Sequence, residues 1–331
     1  MLIQAGSADG ASAKAQATSS QSISTGGNVA VLGGAGVGSS AALQGSNLSM
    51  TALQGGLTVQ GGSGANAFAE IVSTAGGQSI GNQNTYYYSP TDFILVLGGG
   101  GTGAYASIRS TGSQTLQTAG NFSVLGGGGS GAYAEVFSSG GSQTVGSTST
   151  YYTPATQNIL VQAGAGGLAR IQALGSQSIM AGGNISVLGG SGTGMTAAIQ
   201  STGSSQNIGN TYIYSNDATN NVIVQGGSGS GSSAKIAAYS GQSIDAGQNI
   251  TVTGGATGAF AEVTTAFGSQ TIGNLNSSYN YDQTDLVSLT GGSAAGAYAN
   301  MTTIGNQTVR SSRNVTLAGG NGAGSGALLQ G

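Results

Sequence analysis

One phrase returns about eleven times along this chain, and a chain that repeats itself at a short fixed interval folds by stacking its copies. Clear copies read Val29-Ala30-Val31-Leu32-Gly33-Gly34, Leu57-Thr58-Val59-Gln60-Gly61-Gly62, Phe122-Ser123-Val124-Leu125-Gly126-Gly127, Ile185-Ser186-Val187-Leu188-Gly189-Gly190 and Ile250-Thr251-Val252-Thr253-Gly254-Gly255. Degenerate copies begin at Met1, Ile94, Ile159, Val222, Val287 and Val315. Successive starts lie 28, 28, 37, 28, 37, 26, 37, 28, 37 and 28 residues apart. The basic unit is therefore about 28 residues, every second unit from Leu57 onward carries about nine more, and the larger period is close to 65. Each copy of a solenoid touches only its neighbours, so residues 1–331 read as one continuous β-solenoid without separate domains.

Within a unit, three segments of period two are separated by glycines, which is strand spacing rather than helix spacing. In the unit from Phe122, the first strand puts Phe122 and Val124 on one face. The second, Ala132 to Val136, puts Ala132, Ala134 and Val136 together, and the third pairs Gln143 with Val145. Stacked in register, each inward position becomes a column with a spacing of about 4.8 Å. One column is Ala in all ten complete units: Ala13, Ala41, Ala69, Ala106, Ala134, Ala169, Ala197, Ala234, Ala261 and Ala299. Two residues on stand Leu43, Ile71, Ile108, Val136, Ile171, Ile199, Ile236, Val263 and Met301, with Ala15 in the first unit. Small beside branched residues suit a narrow, tapered interior.

A polar column shares the inward phase: Gln21, Gln78, Gln114, Gln143, Gln177, Gln206, Gln242, Gln270 and Gln307. Buried amides must be paired, and stacked Gln side chains can pair with the copies above and below. The second unit departs from the pattern at Asn47-Leu48-Ser49, which predicts a local irregularity. Asn28, Asn121, Asn184, Asn249 and Asn314 precede the first strand, at a corner where Asn tolerates turn geometry. The fold expected is all-β: a right-handed parallel β-helix of about ten and a half coils of three short strands, roughly 50 Å long.

Composition removes several function classes. The chain has no His and no Cys, so the commonest general base, the nucleophilic thiol and the soft metal ligands are missing. The acids Asp92, Asp217, Asp282 and Asp285 are spread over separate loops, which argues against the clustered acids of pectin-cleaving β-helices. No enzyme, cofactor or metal is expected. Net charge is −3 with no basic run, which argues against nucleic acid. No segment is long or apolar enough to span a bilayer, so membrane insertion is not expected, and no signal peptide is read at Met1. The runs Asn121-Phe122-Ser123 and Asn184-Ile185-Ser186 match the glycosylation sequon, but the corner-plus-strand pattern produces them by itself. Gly-rich runs such as Gly98 to Gly103 lack the lysine and helix of a phosphate loop, and the turns lack the Asp of calcium-binding β-rolls.

Gly-Gly-Asn-Ile-Ser-Val-Leu-Gly-Gly from Gly182 to Gly190, with Gly-Ser-Gln-Thr-Ile from Gly268 to Ile272, resembles the repeat region of filamentous haemagglutinin-like proteins, the large secreted β-helical adhesins of Gram-negative bacteria. The likeness covers nearly the whole chain. It implies a right-handed parallel β-helix and a secreted, extracellular or cell-surface location, and it carries no catalytic residues. Members of that family are exported through a partner pore after recognition of an amino-terminal secretion domain, and no such domain is read here.

Two surfaces stand out as contact candidates. The nine-residue additions at one corner of alternate units hold nine of the thirteen tyrosines: Tyr86, Tyr87, Tyr88, Tyr151, Tyr152, Tyr212, Tyr214, Tyr279 and Tyr281. Loops projecting from one edge would recur about every 9.6 Å. Such a ridge would bind a glycan or a neighbouring rod, or would simply cover the edge of its own coil. The second surface is the outward column Phe68, Tyr105, Tyr133, Leu168, Thr196, Ser233, Phe260 and Tyr298 on the middle strand. Beside it run Lys14, Glu70, Glu135, Arg170, Lys235 and Glu262, six of the fifteen charges, with Glu135 expected beside Arg170 and Lys235 beside Glu262. That column reads as register-fixing on a solvated face, or as a lateral contact between rods centred on Phe68, Tyr105, Tyr133, Phe260 and Tyr298. Outward Ser and Thr on the third strand, such as Ser113, Thr115, Ser142 and Thr144, raise ice binding as a remote option. Neither end reads as capped, which predicts end-to-end stacking or a section of a longer rod. The expected function is structural, an extracellular filament or adhesin stalk that assembles with itself; the alternative is a module that binds cell-surface glycan.

Overall fold

The computed structural model describes residues 1–52, 55–82, 90–147, 155–210, 218–275 and 283–331. Those residues form a right-handed parallel β-helix of three sheets, with eleven, eleven and ten strands. Each of the first ten coils gives one strand to each sheet in turn, and the eleventh gives one to the first and one to the second. Coil 5, for example, contributes Phe122–Leu125, Ala132–Ser138 and Gln143–Gly146. All pairing is parallel and runs only between equivalent strands of adjacent coils. The register is residue for residue across every copy, as in Phe122 with Ile159, Ala134 with Ala169 and Gln143 with Gln177. A slip of one residue would turn the aliphatic face of a strand outward, so the alternation itself holds the register.

The interior is the set of expected columns. Ala69, Ala106, Ala134, Ala169 and Ala197 are fully buried, as are Ile71, Ile108, Val136, Ile171 and Ile199 beside them. The glutamines form a continuous ladder from Gln78 to Gln307. Each side-chain amide from Gln114 onward donates to the amide oxygen of the Gln in the coil below, at 2.6–2.7 Å. The irregularity expected in the second coil is a break in this ladder. Leu48 pairs with both Gln21 and Gln78, and the Gln21 side-chain oxygen is buried without a partner. The corner asparagines also stack. Asn158 donates to Asn121, Asn221 to Asn184 and Asn249 to Asn221, at 2.9–3.0 Å.

The Gly-Gly pair that closes each first strand answers a packing demand. A Cβ on Gly226 would press on the Gly255 backbone in the coil above, and one on Gly227 would fall on the Gly190 carbonyl in the coil below. The 26-residue unit has an equally local cause. The turn from first to second strand holds only residues 163–166 in coil 6, against 126–131 in coil 5.

Candidate interaction surfaces

All four additions leave the helix at the corner between the third and first sheets, once in every second coil. Their tyrosines, Tyr86, Tyr87, Tyr88, Tyr151, Tyr152, Tyr212, Tyr214, Tyr279 and Tyr281, lie outside the described residues, but the necks that carry them are described. Each neck opens on a glycine with positive φ: Gly81 (86°), Gly146 (74°), Gly209 (78°) and Gly273 (77°). The backbone N–H of the next residue then donates to a Thr hydroxyl across the neck: Asn82 to Thr91, Ser147 to Thr156, Asn210 to Thr219 and Asn274 to Thr284, at 3.0–3.3 Å. The same Thr returns its own N–H to the carbonyl of that partner, at 2.7–3.1 Å. The four Thr side chains are fully buried. The hydroxyls of Thr156, Thr219 and Thr284 donate at 2.6 Å to Thr118, Ala181 and Ala246, which belong to the coil below. Each addition is therefore pinched shut at its base, and the three at Thr156, Thr219 and Thr284 are also tied down one coil. These threonines are not among the residues that the repeat pattern singles out. Their signal is a Thr three residues before Ile94, Ile159, Val222 and Val287.

On the outside of the second sheet the aromatic column is a stack. Phe68, Tyr105 and Tyr133 lie with ring centroids 4.9 and 4.7 Å apart and planes within 2° of parallel. Phe260 and Tyr298 repeat the arrangement at 4.9 Å. Leu168, Thr196 and Ser233 separate the two stacks, and the Thr196 and Ser233 hydroxyls are hydrogen-bonded at 2.9 Å. Stacking along the axis covers both faces of Tyr105, so the inner part of the column offers ring edges to solvent.

Both expected ion pairs are present. Arg170 meets Glu135 at 2.8 Å, and Lys235 meets Glu262 at 3.2 Å. Glu135 itself is not solvated, however. Arg109, one outward position along the strand, also reaches Glu135 at 2.7 Å, and between the two guanidinium groups Glu135 is only 1% exposed. Burial also raises the pKa of Glu70, against the opposing charges of Arg109 and Lys14. It pushes Tyr105 up to about 12, with the negative charge of Glu70 adding to the effect. In the second cluster Lys235 sits 4.8 Å over the Phe260 ring, and Tyr298 donates to Glu262 at 3.4 Å. These contacts cross coils, so the whole column acts as an external clasp on the stack.

Among the described residues no group of three acidic, His or Cys side chains is placed to hold a metal ion. Comparison with protein-family models, curated proteins and solved structures finds no match to this chain.

Proposed function

We propose that this chain is a structural section of a filamentous haemagglutinin-like, extracellular filament or adhesin stalk, whose work is to hold four Tyr-rich additions in line at a fixed interval. The observation that carries this reading is the repeated neck. Four necks use the same left-handed Gly, the same buried Thr and the same corner, and they recur every second coil. Two coils correspond to about 9.6 Å. A rod clasped inside by a Gln ladder and outside by aromatic stacks resists bending, which suits rigid display. Secretion and self-association belong to the same reading. Glycan binding by the ridge is the competing reading, and the second-sheet column lends it little, because stacked rings have few free faces to lay against a sugar.

Negative-stain microscopy of the purified chain tests the filament. Rods joined end to end are expected, and discrete short particles with no fibres at high concentration overturn it. The triple substitution Tyr86→Ala, Tyr87→Ala, Tyr88→Ala tests the ridge. Loss of bundling supports display for lateral contact, loss of signal on a glycan array supports sugar binding, and no change in either removes the ridge from the function.

A further inference from the structure

The outer face of the first sheet points to a second copy of this chain: it shares with the third sheet an absence of charged residues in its strands, but of those two sheets it alone turns Leu and Ile side chains outward. None of its eleven strands contains a charged residue. Each strand offers two outward positions, two residues apart, between its corner and the Gly-Gly turn. In coils 5 to 8 one of the two is aliphatic and the other is Ser or Gln, and the aliphatic one changes column at every coil. Leu125 stands beside Ser123, Leu160 beside Gln162, Leu188 beside Ser186 and Ile223 beside Gln225. The four aliphatic side chains remain partly exposed while their inward neighbours are fully buried.

This checkerboard is self-complementary. A two-fold axis parallel to the rod lays two identical faces together and exchanges the columns within each coil. Every aliphatic side chain of one copy then lies opposite the Ser or Gln of the same coil in the other, so Leu125 and Leu188 fill the space left by Ser123 and Ser186, and Leu160 and Ile223 lie along the aliphatic stems of Gln162 and Gln225. The absence of charge means that identical faces do not repel. The face is about 48 Å long and about 12 Å wide, so the pair would bury roughly 1,200 Å² in total, at the lower edge of specific interfaces. We infer that the first-sheet faces of two copies pack as parallel rods in register, with the aliphatic residues of coils 5 to 8 at the centre. The inference rests on the rod reading above only in taking the outer face as rigid; a rod that displays loops needs no dimer.

Sedimentation equilibrium tests it. The intact chain should associate, and Leu160→Lys with Leu188→Lys should weaken association by more than about tenfold while the circular dichroism spectrum stays unchanged. The chain lacks cysteine, so register can be read directly. Leu160→Cys mixed with Gln162→Cys should cross-link through a short bis-maleimide more efficiently than Leu160→Cys alone. A monomeric parent, or association untouched by the two lysines, overturns the inference. If the lysine variant loses its fold, the cysteine pair still decides: equal cross-linking in the mixed and single-variant samples overturns the register. Association that survives the lysines but falls with Tyr86→Ala, Tyr87→Ala, Tyr88→Ala would place the contact on the ridge and leave the filament reading standing.

Discussion

A glutamine in the middle of the ladder has two jobs, because its amide nitrogen serves the coil below and its oxygen serves the coil above. Gln206 donates to Gln177 and accepts from Gln242. Replacing it with Leu strands both neighbours, and Gln206→Leu should cost about 2–3 kcal/mol in urea denaturation. Gln21→Leu should be nearly neutral in the same assay, since its oxygen has no partner and Leu48 already lies against it. Equal losses would refute the ladder as a source of stability. Tyr105 gives a pH test. Its folded pKa of about 12 exceeds the free value of about 10, so the fold favours the neutral phenol. That stabilisation is complete below about pH 10 and disappears as pH rises towards 12. Tyr105→Phe should therefore shift alkaline unfolding to higher pH, and coincident unfolding curves would disprove it. The Gln column was legible in the sequence because it keeps step with the aliphatic residue two positions on. Arg109 was not, because it reaches Glu135 diagonally from another column, and a repeat alignment compares residues only along columns.

At the level of the element, the corner of the additions was legible from the alternation of 28 and 37. The necks were not, because Thr is common in this chain and its task lies one coil away, where sequence distance gives no clue. Thr219→Val keeps the shape of the side chain and removes the hydroxyl that accepts from Asn210 and donates to Ala181. It should cost about 1–2 kcal/mol and speed amide exchange at Asn210, with exchange in the second sheet of the same coil unchanged. Uniformly faster exchange would mean that the neck is a general packing contact rather than a local tether.

For the whole molecule, coils contact only their neighbours, so cooperativity passes through every junction. Gly227→Ala sets a methyl group against the Gly190 carbonyl and the Ser232 hydroxyl. It should split one unfolding transition into two, because it loosens the junction between coils 7 and 8; a single unshifted transition would show that the corner can yield. The doubled beat has a further consequence, for how such a chain can change length. It can be spliced but not trimmed. Removing residues 185–249, a 65-residue span, joins Asn184 to Ile250 and keeps the remaining necks on alternate coils. Removing residues 222–249 alone brings the additions at 211–217 and 276–282 onto adjacent coils, where each neck would need the corner that the other occupies. The longer deletion should melt as one folded rod and the shorter should not. Length in this molecule is inherited in pairs of coils.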